Sequence, residues 1–191
     1  MSGPQGVCYQ TVRGRIAGQA STSCPRLKRG PQISVANDVP QKLHLSFEHL
    51  HSFYNSASQF WCLVHIEEAK FKVSARMIWE NATIICDETV FNYNAPVEEM
   101  TASVSVLVND HGNDVLDTKI INVYKCSVLG SYRGAQDCTL CSLKSGSHGC
   151  GWCPKMGCVS SSRCPTSQTI VQLEAGEKCP GPDIFLLSPT R

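Results

Sequence analysis

No run of about 18 consecutive apolar residues occurs in this 191-residue chain, so no segment reads as a membrane-spanning helix. The first ten residues, MSGPQGVCYQ, have neither a basic stretch nor an apolar one, so no signal peptide is visible there. Charge is sparse: Lys, Arg, Asp and Glu together make up 17%, and the formal net charge is +1. These charges are scattered, which leaves no basic stripe to follow a phosphate backbone and excludes a nucleic-acid partner. The short run Arg26–Leu27–Lys28–Arg29 reads as a solvated linker. Also missing are a Gly-rich phosphate cradle, a nucleophile elbow and carboxylates paired in a common pocket. His44, His49 and His51 do not share one strand face, and the acidic turn at 109–114 lacks the oxygen spacing of a calcium loop. The residues point to no catalysis, no metal and no cofactor.

What the chain does have is cysteine. There are twelve, and eight fall between Cys126 and Cys179, about 15% of that segment. The densest part is CTLCSLKSGSHGCGWCPKMGC, Cys138 to Cys158, in which two Cys-x-x-Cys pairs stand eight residues apart. Three chemistries compete for it. Zinc knuckles are usually separated by roughly 15–20 residues, and a site of Cys138, Cys141, Cys150 and Cys153 would leave Cys126, Cys158, Cys164 and Cys179 unused. Redox catalysis needs a thiol activated at a helix N-terminus, yet Pro154, Gly157 and Ser160–Ser162 crowd the region and no helical apolar period follows. His148 alone, with no orienting partner, is weak support for a Cys–His nucleophile.

Disulfide staples account for every cysteine. The main apolar residues of the segment are Leu129, Leu140, Leu143, Trp152, Met156 and Val159, too few for a core of any size. Each bridge restricts the unfolded chain and contributes about 2–4 kcal/mol. Four bridges require an oxidising compartment, while eight cysteines still allow 105 pairings. Asn81-Ala82-Thr83 is an acceptor triplet for N-glycosylation and agrees with that compartment.

Residues 25–125 differ in character. The runs KLHLSF, FWCLVHIE, FKVSARMIW, ATIICDE, SVSVLVND and KIINVYKC alternate with period two. Leu43, Leu45 and Phe47 share one face, as do Cys62, Val64 and Ile66, and Val104, Val106 and Val108. Turn signals at 37–40, 94–96 and 109–114 separate the runs, the last as a hairpin. Six or seven short strands without a convincing helix predict an immunoglobulin-like β-sandwich. Cys62 and Cys86, the only cysteines in this segment, lie on two of the strands, and a bridge between them is worth about 3–4 kcal/mol.

The chain also contains a partial copy of itself. SCPRLKRGPQISV (Ser23–Val35) and KCPGPDIFLLSP (Lys178–Pro189) share Cys-Pro, a short linker and an apolar strand, at an offset of about 155 residues. Cys8 and Cys164 precede them at nearly equal distance. The expectation is an internal piece of a longer array: 1–24 the tail of a preceding cysteine module, 25–125 the sandwich, 126–180 a complete module, 181–191 the first strand of a following sandwich. Cys8 and Cys24 are then unpaired by truncation, any bond between them being non-native.

The spacing from Cys126 through Cys138, Cys141, Cys150-Gly-Trp-Cys153, Cys158 and Cys164 to Cys179-Pro180 resembles the plexin–semaphorin–integrin (PSI) module. The preceding segment, with FWCLVHIE, IICDETVFNY and VYKC, is similar to the Ig-like fold shared by plexins and transcription factors (IPT/TIG). The fold class expected is mainly β, an Ig-like sandwich followed by a small, disulfide-rich, cysteine-knot-like PSI module. Together they resemble the extracellular stalk of a plexin, the semaphorin receptor family. The resemblance implies the pairs Cys126–Cys150, Cys138–Cys179, Cys141–Cys158 and Cys153–Cys164, with Cys62–Cys86 in the sandwich. It also implies a non-catalytic, semi-rigid spacer in a single-pass plasma-membrane receptor. Semaphorins would be bound through a propeller domain outside this chain, and the stalk could contribute to receptor self-association. Competing readings are the stalk of a hepatocyte-growth-factor-receptor-like protein, which carries a single PSI module, a secreted module binding its ligand directly, and a disulfide oxidoreductase.

Overall fold

Because apolar and polar residues alternate through most of residues 25–125, the chain folds there into strands that each bury one face. The computed structural model describes residues 24–52, 54, 58–108, 114–165 and 179. Two units separate by their internal packing, Met1–Tyr124 and Lys125–Arg191.

The described residues of the first unit form β1 (Arg26–Leu27), β2 (Ser34–Ala36), β3 (Pro40–Glu48), β4 (Phe60–Ile66), β5 (Ala69–Ile78), β6 (Thr83–Val90), β7 (Glu99–Val108) and β8 (Asp114–Tyr124). They hydrogen-bond in the order β1-β3-β6-β5-β4-β7-β8-β2, antiparallel except where β2 lies parallel to β8. The turn at 109–113 lies outside the described residues, but β7 and β8 pair antiparallel from Glu99↔Tyr124 to Val108↔Asp114.

Although continuous, this sheet makes a sandwich because β5 changes partners. It pairs with β4 from Ala69 to Ala75, and with β6 from Ala75 to Ile78. A strand that switches sheets in this way forms the corner between two packed leaves. Strands two apart in a flat sheet lie about 9–10 Å from each other. Cys62 on β4 and Cys86 on β6 nevertheless have Cα atoms only 5.7 Å apart and are disulfide-bonded. The two leaves therefore face each other across that bridge. At the far margin the curl nearly closes, since Leu27 N–H on β1 donates to Asp117 Oδ2 on β8 at 2.8 Å.

The faces expected to be apolar are the buried ones: Leu43, Leu45 and Phe47, then Cys62, Val64 and Ile66, then Val104 and Val106, all 3% exposed or less. Ile84, Ile121 and Val123 complete the same core. Each such side chain contributes about 1.5–3 kcal/mol through burial.

Two loops are held by side chains whose sequence signals are weak. The β4–β5 turn places Glu67 at φ 50°, a left-handed conformation that costs a non-glycine residue about 1 kcal/mol or more. The Glu67 carboxylate offsets that cost by accepting from the backbone N–H of Asn94 and of Ala95, both at 3.0 Å. Tyr93, 1% exposed, donates its hydroxyl to the carbonyls of Val97 (2.9 Å) and Glu98 (3.0 Å), and its N–H donates to Asn37 Oδ1. Tyr93→Phe withdraws a donor from both carbonyls and is expected to cost about 1–2 kcal/mol in urea unfolding. An unchanged midpoint would show that the hydroxyl does not anchor the 94–98 segment.

The second unit contains α1 (Cys126–Leu129), β9 (Ser131–Tyr132), β10 (Ala135–Gln136), α2 (Cys138–His148), β11 (Cys150–Cys153) and β12 (Gly157–Ser160). Helix α2 is an element that the sequence reading does not anticipate. Its sequence, CTLCSLKSGSH, is rich in Ser and includes Gly, both poor helix formers. Asp137 caps it, with Oδ1 accepting the Leu140 N–H at 2.9 Å and its carbonyl accepting the Cys141 N–H at 3.0 Å. Cys138 and Cys141, one turn apart, then tie the helix down by two disulfides.

Candidate functional site

The second unit is built around sulfur. Its buried hydrophobic side chains, among the described residues, are Cys126, Leu129, Cys141, Cys150, Cys153 and Cys158, so Leu129 is the one that is not a cysteine. Of the other apolar residues the segment offers, Leu143 is 74% and Met156 43% exposed, and Leu140, Trp152 and Val159 are half-buried. The bridges are Cys126–Cys150, Cys138–Cys179, Cys141–Cys158 and Cys153–Cys164, with Cα separations of 5.5, 5.9, 5.5 and 5.7 Å. The two cysteines of each Cys-x-x-Cys pair thus belong to different bridges, and neither pair closes on itself as a redox dithiol would.

The sulfurs meet because the elements carrying them are short and tightly joined. The β11–β12 hairpin pairs Cys150 with Ser160 and Cys153 with Gly157, placing Cys158 opposite Trp152. Gly157, at φ 80°, makes the left-handed step that ends the 154–156 turn. Gln136 clamps the hairpin to α1: its Nε2 donates to the Ser127 carbonyl at 2.6 Å, and its Oε1 accepts the Cys158 N–H at 2.8 Å.

Gly130 ends α1 directly against the Cys141–Cys158 bridge. A methyl group there would lie 2.5 Å from Cys158 Sγ, closer still to Cys158 Cβ, and 3.0 Å from Cys141 Cβ. Both crowding side chains are held in one disulfide, so neither can swing away by changing rotamer. Gly130→Ala is therefore expected to destabilise this unit by about 2–3 kcal/mol through overpacking, read as faster amide hydrogen exchange in β11 and β12. Exchange rates equal to those of the parent protein would show that the bridge can shift.

Outside the sulfur core the candidate residues are dispersed. Asn81 is exposed in the turn between β5 and β6, and Thr83 of the same triplet shares a hydroxyl hydrogen bond with Ser46 at 3.0 Å. The expectation that truncation leaves Cys24 unpaired is corrected: Cys24 is disulfide-bonded. Cys8, residues 1–23 of the expected module tail and the strand expected at 181–191 lie outside the described residues. Four residues escape sequence reading: Gly130, Gln136, Asp137 and Glu67. Only Asp137, an Asx residue just ahead of CTLC, carries a detectable signal, that of a helix N-cap.

The fold and its bridges define the class: an Ig-like sandwich of IPT/TIG type followed by a disulfide-stapled module. Residues 31–124 match the family described as the TIG domain found in plexin. That match spans β2 to β8 of the sandwich. No curated protein matches the sequence. Among solved structures, the full extracellular region of plexin A4 with domains 1 to 8 aligns at a TM-score of 0.62 and 22% identity, over 75% of this chain and 14% of that one. The same region with domains 1 to 10 aligns at 0.65 and 24%, over 82% of this chain and 13% of that one. At these identities the likeness is one of fold, and the chain spans only about one-seventh of the structures it matches.

Proposed function

We propose that this chain is a length of the extracellular stalk of a plexin-type semaphorin receptor, a non-catalytic spacer that sets the reach of the ectodomain. The observation that carries this is the plexin TIG match over residues 31–124. The second unit, read as a PSI module over 126–180, suits the same role. Four bridges pin fewer than 60 residues, and a single residue, Lys125, separates the end of β8 from the first bridged cysteine. So short a connection leaves little freedom to bend. Semaphorins would reach the parent receptor through a propeller domain that is not in this chain, and stalk segments could add to receptor self-association. Residues 1–24 would be the tail of a preceding module and 181–191 the start of the next sandwich.

Surface plasmon resonance against semaphorin ectodomains tests this. The stalk reading expects no binding at micromolar concentration, and tight binding would replace it with direct ligand recognition. Small-angle scattering supplies a second measure, since freely hinged units would contradict a semi-rigid spacer. Expression in a secretory host is expected to add one glycan at Asn81, removed by Asn81→Gln and seen as a single mass step. An unmodified Asn81 would count against passage through the secretory pathway.

A further inference from the structure

The run Arg26–Leu27–Lys28–Arg29 is not a loose linker. Arg26 Nε pairs with Glu48 Oε2 at 2.6 Å, which holds the Glu48 carboxyl below its usual range. The segment that follows is held at both ends: Leu27 N–H to Asp117 Oδ2 and Lys28 N–H to the Ser46 carbonyl at one, the Gln32 Nε2 side-chain amide to the Ile120 carbonyl and the Ile33 carbonyl to Asn122 N–H at the other, at 2.8 to 3.1 Å. This lays residues 27–33 across the seam where the two ends of the curled sheet meet. A cleft of about 350 Å³ opens there, lined by the apolar Leu27, Pro31, Ile33 and Leu45 as well as by Lys28, Arg29, His44, Ser46, Lys119 and Gly30.

Three permanent cations from two distant parts of the chain thus surround one cleft. Both nearby acids are engaged, although Asp117 keeps its negative charge beside Leu27 of the lining. Glu48 is tied to Arg26, and Asp117 accepts from Leu27 N–H with one oxygen and from Thr118 N–H at 2.7 Å with the other. We infer that this cleft binds the sulfate groups of a glycosaminoglycan chain. Guanidinium and ammonium groups on a pinned backbone suit sulfate oxygens, and Ser46 and His44 add polar atoms for the sugar. The choice of a sulfated glycan over other polyanions rests on the extracellular stalk reading, because that is where such chains are met.

The test uses the purified chain and a heparin decasaccharide, with affinity measured by calorimetry over a range of salt. Lys28→Ala with Arg29→Ala is expected to weaken binding about tenfold or more, and to lower the slope of log affinity against log salt by about two, one per cation removed. Lys119→Ala should weaken it severalfold and Lys119→Arg should preserve it. Lys70→Ala, at the remote β4–β5 hairpin, should change nothing, and fully desulfated heparin should not bind. Unchanged affinity in the double variant, or an equal loss in Lys70→Ala, overturns the site. Far-ultraviolet circular dichroism of each variant separates lost binding from lost fold. Heparin binding through these residues in a chain whose Asn81 stays bare in a secretory host would sink the extracellular reading and leave the anion site standing.

Discussion

Replacing Cys141 and Cys158 together with alanine is expected to unfold the second unit while the sandwich stays folded. Their bridge is the innermost of the four: Cys141 is 0% and Cys158 1% exposed, and Gly130 packs against both. The loop it closes, with a sequence separation of 17, is worth about 3 kcal/mol on chain entropy alone. Leu129 is the one described buried side chain that supplies hydrophobic burial without sulfur, so nothing replaces what is lost. Small domains of this kind commonly fail to fold once a native bridge is removed. Amide exchange reports the two units separately. Protection should vanish across β11 and β12 and persist in β4, β7 and β8. Retained protection in the β11–β12 hairpin would show that the remaining three bridges suffice, and that the sulfur core is not what holds this unit.

The same operation on the sandwich should have a different outcome. Cys62→Ala with Cys86→Ala removes a bridge of sequence separation 24 between two fully buried residues. The entropic contribution is about 3–4 kcal/mol, and the void left by two sulfur atoms adds about 1 kcal/mol. That is a large part of the 5–15 kcal/mol typical of a domain, and should lower the melting temperature by on the order of 20 °C. Yet the fold should survive, because Leu45, Phe47, Val64, Ile84, Val104 and Ile121 bury a core that does not depend on the bridge. Calorimetry decides this. A shift of only a few degrees would mean that the crossing of β5 from one leaf to the other already holds the leaves together without help.

These two cases also show where the sequence was readable. Alternation in SVSVLVND and FWCLVHIE places β7 and β4 correctly, since a period of two needs only neighbouring residues to be recognised. Helix α2 escaped the same reading because its stability comes from the Asp137 cap and from bonds to Cys158 and Cys179, not from an amphipathic period. Gly130 escaped because a requirement for no side chain arises only from what presses against it.

Cysteine density together with a shortage of apolar residues was enough, with no coordinates, to require disulfides and an oxidising environment, and strand alternation was enough to require a buried β-sheet. Both follow from composition and short-range order, which the chain carries wherever it folds. Tertiary structure alone decided that β5 turns the corner between the leaves, that Cys158 lies beneath Gly130, and that Lys119 joins Lys28 and Arg29 around one cleft. The first and third of those relations join residues up to 91 positions apart and exist because the sheet curls back on itself, while the second exists because disulfide bridges draw short elements together.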